Sequence, residues 1–216
     1  MTISTVLFDA DGVLQFAGPL YEHFEQRYGW SAARLHAFFD HVFHERPEYD
    51  GGLTGDGDLL AALRAALPEW GWTGSAEAFL RDWLTLGAVP DPAALALVAT
   101  LRRHGVRCAL ASNQNAVRAR FMDEELGYRE LFDERFYSAA LGYAKPDPAY
   151  FRSVLAVLGA EPGEVLFVDD SEANVDAARG CGLHAELHRL GDRLADQLAA
   201  YGLPGLAEGA TYRVNS

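Results

Sequence analysis

The apolar positions of this chain follow one period, change to a second, and then alternate between the two. Val6-Leu7-Phe8 is continuously apolar and ends in Asp9-Ala10-Asp11-Gly12, which reads as a buried parallel strand carrying Asp9 to the edge of a sheet. After Leu14 the spacing becomes helical, through Leu20, Phe24 and Tyr28, then Leu35, Phe38, Phe39, Val42 and Phe43, then Leu59, Leu60, Leu63 and Leu67. Breaks at Gly29, Pro47 to Gly57 and Pro68 to Gly74 divide that stretch into three or four helices. From Asp91 onward, helices over 92–104, 116–126, 148–158 and 172–181 alternate with strands over 106–111, 165–168 and 184–187, with a short apolar piece at Phe136-Tyr137. Alternation of this kind predicts an α/β fold, a parallel sheet covered by helices on both faces. The expected division is a core formed by 1–15 and 88–216 and an all-helical insert over 16–87, placed as a lid after the first strand.

Composition narrows the class. With 216 residues, half of them hydrophobic, the chain can bury one sizeable core and a smaller accessory unit. The formal net charge of -13 disfavours nucleic acid and anionic membrane as partners, so an anionic ligand needs a locally positive site. Cys108 and Cys181 give neither a disulfide framework nor a zinc spacing. The chain opens without a basic leader, and no apolar run approaches the roughly 18 residues of a membrane span. A reducing cytoplasm is the expected location, and no protein partner is implied.

Chemistry concentrates where predicted strands end, which is where open parallel sheets bind ligands. Asp9 beside an apolar strand needs a partner, because an unpaired buried charge costs several kcal/mol. Gly12 permits a tight turn and close approach of a ligand to main-chain N–H groups. The strand over 106–111 runs into Ser112-Asn113 at the expected start of the next helix, a position suited to an anion. The strand over 165–168 runs into Asp169-Asp170-Ser171, again at a helix start. Two acidic pairs at the ends of strands in one sheet repel each other unless a divalent cation lies between them, and an oxygen-only donor set is magnesium's preference. Lys145-Pro146-Asp147-Pro148 presents a lysine in a loop stiffened by two prolines. Each feature taken alone has an ordinary explanation: an Asx turn, an N-cap, a dipole complement, a solvated lysine.

Together and in this order, Asp9-x-Asp11-Gly12, Ser112-Asn113, Lys145-Pro146 and Asp169-Asp170 resemble the four motifs of the haloacid dehalogenase-like hydrolase superfamily, over essentially the whole chain to about residue 200. The resemblance implies a Rossmann-like core with a helical cap inserted after the first motif, and a small phosphorylated metabolite, such as a sugar phosphate, as substrate. Asp9 resembles the nucleophile that forms an aspartyl-phosphate, and Asp11 the general acid and base. Ser112 resembles the phosphate-oxygen donor, assisted by backbone N–H groups near Ala10, Asp11 and Asn113, and Lys145 the cation that restrains Asp9 and offsets charge on the transferring group. For Mg²⁺ the implied ligands are Asp9, the Asp11 main-chain carbonyl and Asp170, with Asp169 acting through water.

Neighbouring branches differ at informative positions. Dehalogenases of this fold lack the second acid of the first motif, so Asp11 favours phosphate ester chemistry. Phosphomutases of the fold often carry a histidine at the start of the first cap helix, where this chain has Tyr21 with His23 nearby. A phospho-accepting receiver domain would place its acidic pair on the first strand and its acceptor in mid-chain, the reverse of the order here. A non-catalytic phosphate-binding module would not be expected to keep the whole acidic and basic set. Substrate selection falls to the insert, where His36, His41, His44, Glu45, Arg46, Glu48, Tyr49 and Trp72 are candidates and Arg46 is the expected substrate contact. Phe24, Phe38, Phe39 and Phe43 are expected to form the apolar interior of the insert.

Overall fold

The structure, a computed structural model, describes residues 2–45, 53–54 and 57–204. Its centre is strand β1 (Thr5–Phe8), all of whose residues are buried. The chain then forms β2 (Gln15–Phe16), helices α1 (Leu20–Tyr28), α2 (Ala32–Asp40), α3 (Leu59–Glu69) and α4 (Ala76–Leu86), and β3 (Val89–Pro90). Next come α5 (Pro92–Arg103), β4 (Arg107–Ser112), α6 (Ala116–Glu124), α7 (Tyr128–Leu131), β5 (Glu134–Tyr137) and α8 (Ser138–Leu141). The described chain finishes with α9 (Pro148–Leu158), β6 (Val165–Asp169), α10 (Glu172–Gly180), β7 (His184–Leu187) and α11 (Leu194–Ala199). No helix among the described residues is long and apolar enough to cross a membrane.

Five strands form a parallel Rossmann-like sheet in the order β5-β4-β1-β6-β7. The two-residue period of β1 explains its covering: Val6 and Phe8 face the cluster holding Val98 and Leu101 of α5 and Met122 of α6. Leu7 faces the opposite cluster, with Phe151 and Val154 of α9 and Val175 of α10. Each fully buried side chain of this size contributes about 1.5–3 kcal/mol, so a one-residue slip of β1 would invert both faces at once. The chain builds outward from β1 through β4 and β5, then returns to the other side for β6 and β7. That reversal opens a crevice at the carboxyl ends of β1, β4 and β6.

The helices α1 to α4 pack around an apolar cluster of their own, with Phe24, Trp30, Leu35, Phe38, Trp72 and Phe79 at its centre. Trp70 and Trp83 belong to the same four-helix group, so every tryptophan in the chain lies here. Gly29 ends α1 in the left-handed region at φ +69° and donates to the Glu25 carbonyl, and Ser75 caps α4 by accepting from the Ala78 N–H. Pro68 sits within the last turn of α3, so the helix runs one residue past the break that proline predicts. An antiparallel pair unforeseen in the sequence, β2 with β3, ties the entry to the exit of the helical segment through Phe16 opposite Val89. Two residues per strand are too few to carry a periodic signal.

Candidate active site

Three parallel strands end beside one another, and each delivers one part of the site. The ladder of β1 and β6 continues through the Asp9 N–H to the Val168 carbonyl at 2.9 Å, which fixes the Asp9 backbone. The chain then turns sharply, with Gly12 at φ +80° donating to the Gln15 carbonyl. A Cβ on Gly12 would lie 2.2 Å from Asp170 Oδ2, so this position needs both the conformation and the bareness of glycine. Ser112 closes β4 and Asp169 closes β6. The N-cap of α6 is Asn115, which accepts from the Arg118 N–H, and not Ser112, because the strand extends one residue further than its apolar run.

Lys145 is held at both ends. Asn113 spends its side chain on the Lys145 main chain, donating from Nδ2 to the carbonyl and accepting the N–H at Oδ1, both at 2.8 Å. The ammonium donates to Asp9 Oδ1 at 2.8 Å, the Ala111 carbonyl at 2.8 Å and Asp169 Oδ2 at 2.6 Å. With its three protons engaged and the side chain 1 % exposed, Lys145 restrains Asp9 and supplies charge. Burial alone would lower its pKa, but Asp9 and Asp169 outweigh that and raise it, so the ammonium stays charged.

The acids fit a cation. Asp9, Asp169 and Asp170 each place a carboxylate oxygen within 4.8 Å of the others. Asp169 is already well supplied: Oδ1 accepts from the Ser171 N–H and Asn174 Nδ2, and Oδ2 from Lys145. Burial pushes the Asp9 carboxyl up to about 7; Lys145 opposes this only in part, and Asp169 and Asp11 raise it further. Asp170 is raised as well, by burial first and then by Asp169. Excess negative potential against a single lysine is the situation a divalent cation relieves.

Asp11 faces a set of donors that the sequence reading did not find. Its Oδ1 accepts from Arg118 Nη2 at 2.7 Å and Gln15 Nε2 at 2.9 Å, and its Oδ2 from Gln114 Nε2 at 2.7 Å. Gln114 also donates to Ser112 Oγ at 3.1 Å, which leaves the serine's own proton available to another acceptor. Arg118 donates further to the Gly87 carbonyl at 2.9 Å, and its guanidinium lies 5.0 Å from the centre of the Trp83 ring. The only sequence trace of this network is polarity: Gln114 prolongs the run Ser112-Asn113, and Arg118 shares the buried face of α6 with Ala119 and Met122.

These groups open on a cavity of about 540 Å³ between the strand ends and the helices α1, α2 and α4. Of the insert residues singled out from sequence, His36 is exposed and bonds the Tyr21 hydroxyl at 2.7 Å, while His41 packs against Trp70. Trp72 is in the apolar interior. Arg46, Glu48 and Tyr49 lie outside the described residues, as do the side chains of His44 and Glu45. Tyr21 lines the cavity, and His23 is engaged by Asp82 at 2.9 Å.

A Rossmann-like sheet with a buried lysine bridging two aspartates at its strand ends, and an acid pair beside them, defines a hydrolase site of one known class. The sequence profile of the haloacid dehalogenase-like hydrolases matches residues 3–182, and the chain belongs to that family. Among curated relatives it is 35% identical over 97 residues to a phosphoglycolate phosphatase of Rhodospirillum rubrum, covering 45% of this chain and 40% of that one. It is 28% identical over 201 residues to a phosphatase of Mycobacterium tuberculosis, covering 87% and 88% of the two chains. The chain thus spans less than half the length of the phosphoglycolate phosphatase it matches. Its fold is that of a haloacid dehalogenase family enzyme of Bacteroides thetaiotaomicron solved with magnesium and inorganic phosphate, at TM-score 0.73, 21% identity and coverage of 90% and 98%. An L-2-haloacid dehalogenase of Xanthobacter autotrophicus also shares it, at TM-score 0.61, 24% identity and coverage of 85% and 76%.

Proposed function

We propose that this chain is a magnesium-dependent phosphatase acting on a small phosphorylated metabolite through an aspartyl-phosphate on Asp9, with residues 16–87 as a cap over a core of 1–15 and 88–216. The observation that carries this reading is the buried Lys145 ammonium held between Asp9 and Asp169, with Asp11 on its own donors at the same cavity. Asp9, the Asp11 main-chain carbonyl, Asp170 and, through water, Asp169 would hold Mg²⁺, which when bound neutralises negative charge gathered on the phosphoryl group. Lys145 restrains Asp9 at Oδ1 so that the carboxylate meets phosphorus in line. As the Asp9–phosphorus bond forms, the bond from phosphorus to the ester oxygen breaks, and Asp11 supplies the proton that the departing alcohol needs. Water then attacks phosphorus, Asp11 takes up its proton, and inorganic phosphate leaves with Asp9 restored. Ser112 Oγ, oriented by Gln114, donates to a phosphoryl oxygen.

Asp11 also favours this reading over dehalogenation, which releases no alcohol that needs a proton. The test is phosphate release from a panel of phosphomonoesters, with magnesium and with chelator. Chelation is expected to abolish turnover, and Asp9→Asn to lower kcat by at least about 10³-fold, the order seen when a nucleophile is removed. Turnover that survives in Asp9→Asn would remove the nucleophile assignment.

A further inference from the structure

The wall of the cavity opposite the strand ends is apolar. It is formed by Leu20, Tyr21, Phe39, Phe43, Leu53 and Trp83, which contribute no charged group among the described residues. Phe39 and Phe43 pack against the same apolar cluster as Phe24 and Phe38, at its edge. Phe24 and Phe38 are fully buried, whereas Phe39 and Phe43 are only partly buried and turn toward the cavity. Their rings stack at 6.0 Å and 18°, and Trp83 lies 5.1 Å from Phe39 and 6.0 Å from Phe43. Three aromatic faces therefore line the space that the alcohol part of a substrate must occupy once its phosphate sits at Asp9. The polar lining residues Asn113, Gln114 and Asn115 follow directly on β4, on the strand-end side of the cavity, and the Tyr21 hydroxyl on the apolar wall is held by His36.

We infer that the substrate is a phosphomonoester of a hydrocarbon-rich alcohol, one whose ring or branched chain lies against Phe39, Phe43 and Trp83. This rests on the phosphatase reading above and makes it narrower. Each hydroxyl or carboxylate brought against such a wall gives up water without a partner, at a cost of about 1–3 kcal/mol for a neutral group and more for a charge. Apolar area gains about 25 cal/mol per Å² there, and a flat ring gains further from offset stacking. The cavity, at about 540 Å³, is within the range that holds an entire organic ligand.

The experiment compares kcat/KM for phenethyl phosphate and hexyl phosphate with glycerol 3-phosphate, glucose 6-phosphate and phosphoglycolate. The two hydrocarbon esters have primary alkyl leaving groups like the sugar and glycerol esters, so a difference reports binding of the alcohol part more than its acidity. The hydrocarbon esters are expected to lead by about tenfold or more, through a lower KM, and Phe43→Ser to shrink that ratio by about fivefold. The wild-type panel decides the matter even if the variant does not fold. Equal or reversed preference overturns this inference and leaves the phosphatase reading standing. An unchanged ratio in folded Phe43→Ser removes the wall from the argument, and phosphate release from none of the esters overturns both readings.

Discussion

Arg118 has contacts in three directions: to Asp11, to the Gly87 carbonyl where the helical segment rejoins the core, and across the Trp83 ring of α4. Its own side chain is 10 % exposed, while that of Asp11 is 43 % exposed toward the cavity. In the proposed mechanism Arg118 acts as a positioning residue through Asp11, whose role there as acid and base would depend on where the carboxyl points. Arg118→Met is therefore expected to lower kcat by about 10–100-fold with a smaller change in KM, the scale of loss from slight misplacement of a reacting group. The decisive comparison is made in an Asp11→Asn background. There the same substitution should cost little more, because the two residues act as one unit. A full additional loss would show that Arg118 matters for some other reason.

Among the elements, α4 is joined to α1 by a polar contact inside an otherwise aromatic packing. Asp82 accepts from the Tyr28 hydroxyl at 2.7 Å and pairs with His23 at 2.9 Å. Burial opposes ionisation of Asp82, but these donors outweigh it, and its pKa is lowered. A carboxyl lowered by folding contributes stability above its unfolded value of about 3.9, and that contribution is lost as pH falls through the lower folded value. Asp82→Asn is accordingly expected to destabilise the helical segment by about 1–3 kcal/mol at pH 7. The gap from wild type should close as acid protonates Asp82, seen as converging melting temperatures in a pH series followed by circular dichroism. At this scale the sequence was informative where an element has one covered face and a clear end. Helix α9 starts at Pro148 and stops at Leu158, as its spacing predicts. It was uninformative for Phe38 and Phe39, adjacent aromatics that hydropathy treats alike and that a helical rotation of about 100° turns toward different surroundings.

Taken whole, the molecule brings Asp9, Asp169 and Asp170 together against a net charge of -13, and their repulsion is a cost of folding that a bound cation removes. Magnesium at about a hundred times its Kd is expected to add about 2.7 kcal/mol, which for a chain of this size raises Tm by about 5–10 °C. Chelator should reverse the rise and Asp170→Asn should abolish it; a Tm indifferent to magnesium in wild type would count against the site. These acids, with Lys145, were legible because each stands at the end of an apolar strand or beside prolines, where local sequence dictates position. Gln114 and Arg118 were not, since only the packing of α6 and its entry against the first loop brings them to Asp11, and Gln15 reaches Asp11 through the tight turn at Gly12. The aromatic interior of the helical segment has a last consequence, an optical one. Trp30, Trp70, Trp72 and Trp83 all lie in that segment, so under selective excitation near-ultraviolet emission comes from it alone, and the sheet that carries the chemistry is dark. Trp83, beside Arg118 and the cavity, makes that emission a built-in reporter of ligand arrival, needing no added label.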